Sequence, residues 1–127
     1  MDGTPSFAGL NILLVEDDFL LAHDLTGTLR DLGITVLGPF PSVRQALKLV
    51  HSSAHIDAAV LDVNLHGTLV YPVAQALQER GIPFLFGSGY DDTVVPEEYG
   101  RVPRVVKPYH VSDVLSMLQA VLLHRAD

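Results

Sequence analysis

Glu16, Asp17 and Asp18 follow the mostly apolar run Asn11–Val15, Asp62 follows Ala58–Leu61, and Lys107-Pro108 follows Val105-Val106. If each run is a strand of an open parallel sheet, the residues just past the carboxyl ends converge on one crevice. Carboxylates gathered there repel, and burying them unpaired costs roughly several kcal/mol each. A hard divalent cation removes that cost. Magnesium takes oxygen ligands in an octahedron and keeps several waters, so one or two carboxylates, a backbone carbonyl and a phosphoryl oxygen suffice. Asn64, two residues past Asp62, is placed to offer its main-chain carbonyl. Lys107 is one of only two lysines, and its position at the end of an apolar run points to a charge partner in the crevice. The pattern predicts a site for a divalent cation and a phosphoryl group.

Each of these residues has a plainer reading. Acidic residues after strands serve as solvated loop residues or helix N-caps, and Asp18 suits the second role. Ser88, within Gly87-Ser88-Gly89, is either part of a turn, where Gly and Ser dominate for backbone reasons, or a hydroxyl donor to a phosphoryl oxygen. The Lys107-Pro108 linkage is a candidate cis peptide, since X-Pro is where that isomer costs little.

Short β-rich runs alternate with segments of helical period, the pattern of repeated βα units and a parallel sheet covered on both faces. Five units are expected, with strands at Asn11–Val15, Thr35–Gly38, Ala58–Asp62, Phe84–Gly87 and Arg104–Val106. The first, third and fourth are apolar apart from Asn11 and Asp62 at their ends, as strands buried on both sides should be. Leu21, Leu25, Leu29 and Leu32 mark a first helix ending at Gly33, and Ser42 is the N-cap of a second. A third helix carries Val73, Ala74 and Leu77 and stops at Gly81, with Pro72 in its first turn. The last has an apolar stripe from Val111 to Leu122. The fourth, within Asp91–Tyr99, is short, charged and interrupted by Pro96, so its stability is expected to be low.

The 127 residues suit one domain. Cysteine is absent, which excludes disulfides, zinc-thiolate sites and thiol nucleophiles and suits a reducing cytoplasm. Fifteen acidic residues against eight basic ones, with no basic cluster, argue against a nucleic-acid surface. No apolar run approaches the ~20 residues that span a bilayer. A cytoplasmic protein without membrane contact is expected, with residues 1–8 as a disordered leader and 9–127 as the folded domain.

An acidic pair after the first strand, Asp at the end of the third, Ser at the end of the fourth and Lys-Pro at the end of the fifth: this order resembles the receiver domains of bacterial two-component response regulators. Ile12-Leu13-Leu14-Val15-Glu16-Asp17-Asp18 is similar to the family's opening motif and Val106-Lys107-Pro108-Tyr109 to its closing one. The likeness runs from about Asn11 to Leu123. It implies a (βα)5 doubly wound five-stranded parallel α/β sheet, flavodoxin-like or CheY-like. It also implies Asp62 as phosphoacceptor, Asp17 as a direct Mg2+ ligand, Glu16 as a water-mediated one, Asn64 as carbonyl donor, and Lys107 and Ser88 as phosphoryl binders. The phosphoryl donor would be a phosphohistidine of a sensor histidine kinase or histidine phosphotransfer protein. On this reading the chain is a signalling domain rather than an enzyme, a monomer or weak dimer. A downstream protein would bind the face of the fourth helix, fifth strand and last helix.

Pro83-Phe84-Leu85-Phe86-Gly87-Ser88-Gly89-Tyr90 is similar to the PFxFATG(G/Y) signature of a group of mostly stand-alone receivers, with Gly87 for Ala and Ser88 for Thr. Arg104 stands where the family's aromatic switch residue is expected, and Tyr90 is either its replacement or a partly buried loop aromatic. His66, in the loop after Asp62, either influences the lifetime of the phosphate or is a solvated loop histidine. Two other functions fit the same architecture: a Mg-dependent phosphatase or cofactor-binding flavodoxin-like protein, and a constitutive interaction module with an unused site. No Gly-rich phosphate loop follows the first strand, and Val63-Asn64 offers no acid or base for a phosphatase.

Overall fold

A computed structural model of the chain describes residues 7–89 and 95–124. In chain order the elements are β1 (Asn11–Val15), α1 (Phe19–Asp31), β2 (Thr35–Phe40), α2 (Val43–Val50), β3 (Ala58–Asp62), β4 (Asn64–Leu65), β5 (Thr68–Leu69), α3 (Tyr71–Glu79), β6 (Phe84–Ser88), a 3-10 turn at Glu97–Tyr99, β7 (Arg104–Val106) and α4 (Val111–His124). The leader up to residue 6, Tyr90 and residues 91–94 of the expected fourth helix lie outside the described residues. What is described of that helix is the single turn at Glu97–Tyr99.

Five strands pair in parallel in the order β2-β1-β3-β6-β7. Every residue of β3 and β6, and Ile12–Val15 of β1, is buried, because helices cover both faces. Alternation along the strands divides the core. Leu13, Val15, Leu61 and Phe86 pack with Ala46 and Val50 of α2 and Val73 and Leu77 of α3. Ile12, Leu14, Val60 and Leu85 pack with Leu25 and Leu29 of α1 and Val114 and Leu118 of α4. The expected caps are present: the Asp18 carboxylate accepts from the Leu21 N–H at 3.1 Å, and the Ser42 hydroxyl accepts from that of Gln45 at 3.3 Å. Pro72 sits in the first turn of α3, where its missing N–H costs nothing.

β2 runs two residues past the expected end at Gly38. Pro39, which has no N–H to donate, reads as a stop, but a bulge absorbs it: Leu13 pairs with Leu37 and Val15 with Phe40, so β2 carries an extra residue. Gly38 has φ +110°, and a Cβ there would lie 2.7 Å from the Leu14 carbonyl oxygen, so no side chain fits. Beyond the bulge, the Phe40 carbonyl accepts from the Glu16 N–H at 3.0 Å and fixes the backbone at the exit of β1. The Gly38–Pro39 and Lys107–Pro108 peptide bonds are both cis.

Strand order reverses direction at β1, so the carboxyl ends of β1 and β3 flank the switch point where such sheets open a crevice. Register does the rest. Val15 pairs with Leu61, Asp62 with Gly87 and Ser88 with Val106, and the Lys107 N–H donates to the Ser88 carbonyl at 2.7 Å. Gly87 itself has room for a methyl group, since a Cβ would meet the Tyr109 hydroxyl at 3.4 Å, an ordinary contact. Glycine inside a strand is weaker than alanine by roughly 0.5–1 kcal/mol, so Gly87→Ala is expected to raise stability by about that amount in urea denaturation. A lower midpoint would show that the Tyr109 ring cannot accommodate it.

Candidate functional site

The crevice gathers three carboxylates and one ammonium. Lys107 Nζ lies 3.0 Å from Glu16 Oε1 and 3.2 Å from Asp62 Oδ2. Glu16 Oε2 takes a hydrogen bond from the same amine at 3.4 Å, whereas Oε1 is buried without one. Glu16, Asp17 and Asp62 each present an oxygen within 4.8 Å of the others. Asp17, Asp62, Asn64, His66, Gly89 and Lys107 line an open pocket of about 510 Å³ there. A larger cavity, about 820 Å³, opens near the opposite end of the sheet against Ile82, Phe84 and Val121. Its lining is largely aliphatic and lacks a carboxylate cluster, so size does not locate the chemistry here.

Electrostatics follow from that crowding. Two carboxylates at such separations repel by roughly 3–4 kcal/mol at an effective dielectric near ~20. Burial, then the hydrogen bond and charge of Glu16, raise the Asp62 pKa to about 7, with Lys107 opposing. Burial and then Asp62 raise that of Asp17, against the pull of His66. Burial alone would lower the Lys107 pKa, but Glu16 and Asp62 outweigh it and hold the amine above its ordinary range. Burial also pushes the Tyr109 phenol upward, reinforced by Glu16, Asp62 and Asp18. One ammonium cannot balance three carboxylates, and it is already shared between Glu16 and Asp62. This all-oxygen donor set fits a hard dication.

No protein-family model matches the sequence. Among curated proteins, the chain is 33% identical over 123 residues to the sensory transduction protein RegX3 of Mycolicibacterium smegmatis, covering 92% of this chain and 52% of that protein. It thus spans about half the length of that relative. The solution structure of SdrG from Sphingomonas melonis Fr1 is 38% identical with a TM-score of 0.79, covering 94% of this chain and 99% of that one. The BeF3-activated conformation of SdrG, from Pseudomonas melonis Fr1, is 40% identical with a TM-score of 0.73, covering 91% and 98%. A response regulator receiver protein from Sinorhizobium medicae WSM419 shares the fold at 24% identity and a TM-score of 0.77, covering 91% and 96%. The chain belongs to the response-regulator receiver domains.

Within this receiver domain the sequence-predicted residues do not all land alike. Glu16, Asp17, Asp62 and Lys107 meet directly. Asn64 lines the pocket, its N–H 3.4 Å from Asp62 Oδ1 and its side-chain oxygen accepting from the Gly67 N–H at 2.6 Å. Ser88 ends β6 at the same rim but is 2% exposed, and Gly89 rather than Ser88 faces the pocket. Arg104 is half-buried and pairs with Phe86.

Two features escaped the sequence. The segment after Asp62 is not an irregular loop: β4 and β5 form an antiparallel hairpin around His66-Gly67. His66 Nδ1 contacts Asp17 Oδ2, so although its side chain is largely exposed it is not simply solvated. Tyr99 was expected in a weak helix, yet it is buried, stacked on Tyr71 at 5.4 Å and edge-on to Phe86 at 5.8 Å. Its i+3 spacing from Pro96 was the available signal, since a turn started there returns the ring to the core.

Proposed function

We propose that this receiver domain accepts a phosphoryl group on Asp62 from a phosphohistidine of a sensor histidine kinase or histidine phosphotransfer protein, in a Mg2+-dependent step. The observation that carries the reading is Lys107 bridging Asp62 and Glu16 where three carboxylate oxygens converge. Asp17, Asp62 and the Asn64 carbonyl would hold the cation, with Glu16 through water. When bound it neutralises charge on the phosphoryl oxygens. An Asp62 oxygen attacks phosphorus in line; the O–P bond forms as the P–N bond breaks, and the electron pair leaves on the imidazole nitrogen. Lys107 donates to the equatorial oxygens of the transferring group and is held in place by Glu16. Water later cleaves the acyl phosphate.

Phosphorylation adds charge and strong acceptor oxygens beside Ser88. Drawn toward them, the Ser88 hydroxyl shifts a two-state equilibrium of the face formed by Glu97–Tyr99, β7 and α4, which binds a downstream protein. The likeness of Pro83–Tyr90 to the signature of mostly stand-alone receivers supports a stand-alone receiver that switches a protein-binding face or relays phosphate. Incubation with magnesium and acetyl phosphate, read by intact mass, is expected to add one phosphoryl group per chain only when the metal is present. Repeated turnover of donor without a stable adduct would point to a phosphatase instead, and no adduct under any condition rejects the proposal. Ser88→Ala is expected to keep the adduct while losing phosphorylation-dependent partner binding.

A further inference from the structure

We infer that His66 is a positioning residue for the cation site, the outer hydrogen-bond donor that sets the carboxylate plane of Asp17; this rests on the phosphoacceptor reading above. His66 sits in the β4–β5 turn with φ +52°, a left-handed conformation sparsely populated by residues with a Cβ. The turn is closed by the Gly67 N–H donating to Asn64 Oδ1 at 2.6 Å and by pairing of Asn64 with Leu69 and Leu65 with Thr68. At its base the Val70 N–H donates to the Val63 carbonyl at 2.9 Å. This frame turns the imidazole back over the pocket, where Nδ1 meets Asp17 Oδ2. The ring is 82% exposed, so burial of apolar surface does not explain its placement. A carboxylate oxygen only accepts, hence Nδ1 carries the hydrogen.

With Oδ2 engaged, the Asp17 carboxylate cannot rotate freely, and its other oxygen is left for the cation shared with Glu16 and Asp62. Outer partners of metal-ligating groups lower the cost of fixing the ligand, and their loss typically weakens metal binding about 10–100-fold. The hairpin that carries His66 begins two residues after Asp62, so the acceptor strand and Asp17, two residues past β1, are tied together through the His66 side chain.

Two substitutions separate the donor from the backbone. His66→Gly removes the donor and relaxes the left-handed residue; His66→Asn keeps an N–H donor near the place of Nδ1 and tolerates the same φ. Magnesium dissociation constants of the unphosphorylated protein, measured by isothermal titration calorimetry, provide a readout independent of phosphoryl transfer. The Gly variant is expected to bind about 10-fold more weakly, and the Asn variant to recover most of the loss. Equal affinity in the Gly variant, or an Asn variant as weak as Gly, overturns the inference. Tighter binding by the Gly variant also overturns it, by showing that the imidazole competes with the cation. A wild-type protein that binds no magnesium instead removes the phosphoacceptor reading, and this inference with it.

Discussion

Asp62→Asn is expected to abolish acceptance of a phosphoryl group and, in the absence of divalent metal, to make the fold more stable. The first effect follows from chemistry: the amide lacks the anionic oxygen that attacks phosphorus. The second follows from burial. The Asp62 pKa rises from 3.8 to about 7 on folding, so the native state holds a proton that the unfolded chain has released. Stability therefore falls as pH rises from about 4 through about 7, and the penalty is complete above that range. One pKa unit is about 1.4 kcal/mol, and after discounting for the open pocket the penalty is on the order of 2 kcal/mol. Urea denaturation with a chelator present should show Asp62→Asn more stable than wild type by about that amount near pH ~8, with the gap closing toward pH ~4. Saturating magnesium should narrow the difference by stabilising the wild type. A variant no more stable than wild type at the higher pH would mean that Asp62 is not strained by its acidic neighbours.

Lys107→Ala is expected to act in the opposite sense on stability and strongly on transfer. Glu16 is 4% exposed and Asp62 5%, and both lose their ammonium partner. Breaking a fully buried pair costs about 3–5 kcal/mol; Lys107 is partly exposed, so about 2 kcal/mol is expected at alkaline pH, and less near pH ~5 where Asp62 takes up a proton. Removal of a donor aimed at developing charge typically costs roughly a hundred- to a thousand-fold in rate, the loss expected in labelling by acetyl phosphate. Lys107→Arg restores charge but replaces a compact ammonium with a planar fork, and is expected to recover stability more than rate. Labelling by Lys107→Ala at the wild-type rate would remove the lysine from the transfer step.

The limits of β1, β3 and β7 were legible in the sequence because apolar runs bounded by charge leave little freedom in where a buried strand ends. The end of β2 was not, since the bulge at Gly38 that lets a strand pass Pro39 is a property of the pairing with β1, not of the β2 residues alone. The hairpin after Asp62 was invisible for a different reason: two-residue strands carry no period. The contact of His66 with Asp17 depends on one positive φ and one Asn64 side-chain hydrogen bond, and neither leaves a signature in residue type. Likewise, Ser88 was placed correctly at the end of its strand, but its burial depends on what packs around it.

Residue type and strand position alone determined that acidic groups, a hydroxyl and a lysine leave one edge of a parallel sheet, because apolar runs must be buried and charged ends must escape. That Glu16, Asp17, Asp62 and Lys107 stand within a few ångströms of each other was decided by tertiary structure. Strand order and register are long-range choices, made where helices on both faces bury the most apolar surface, and no local stretch of the chain contains that balance.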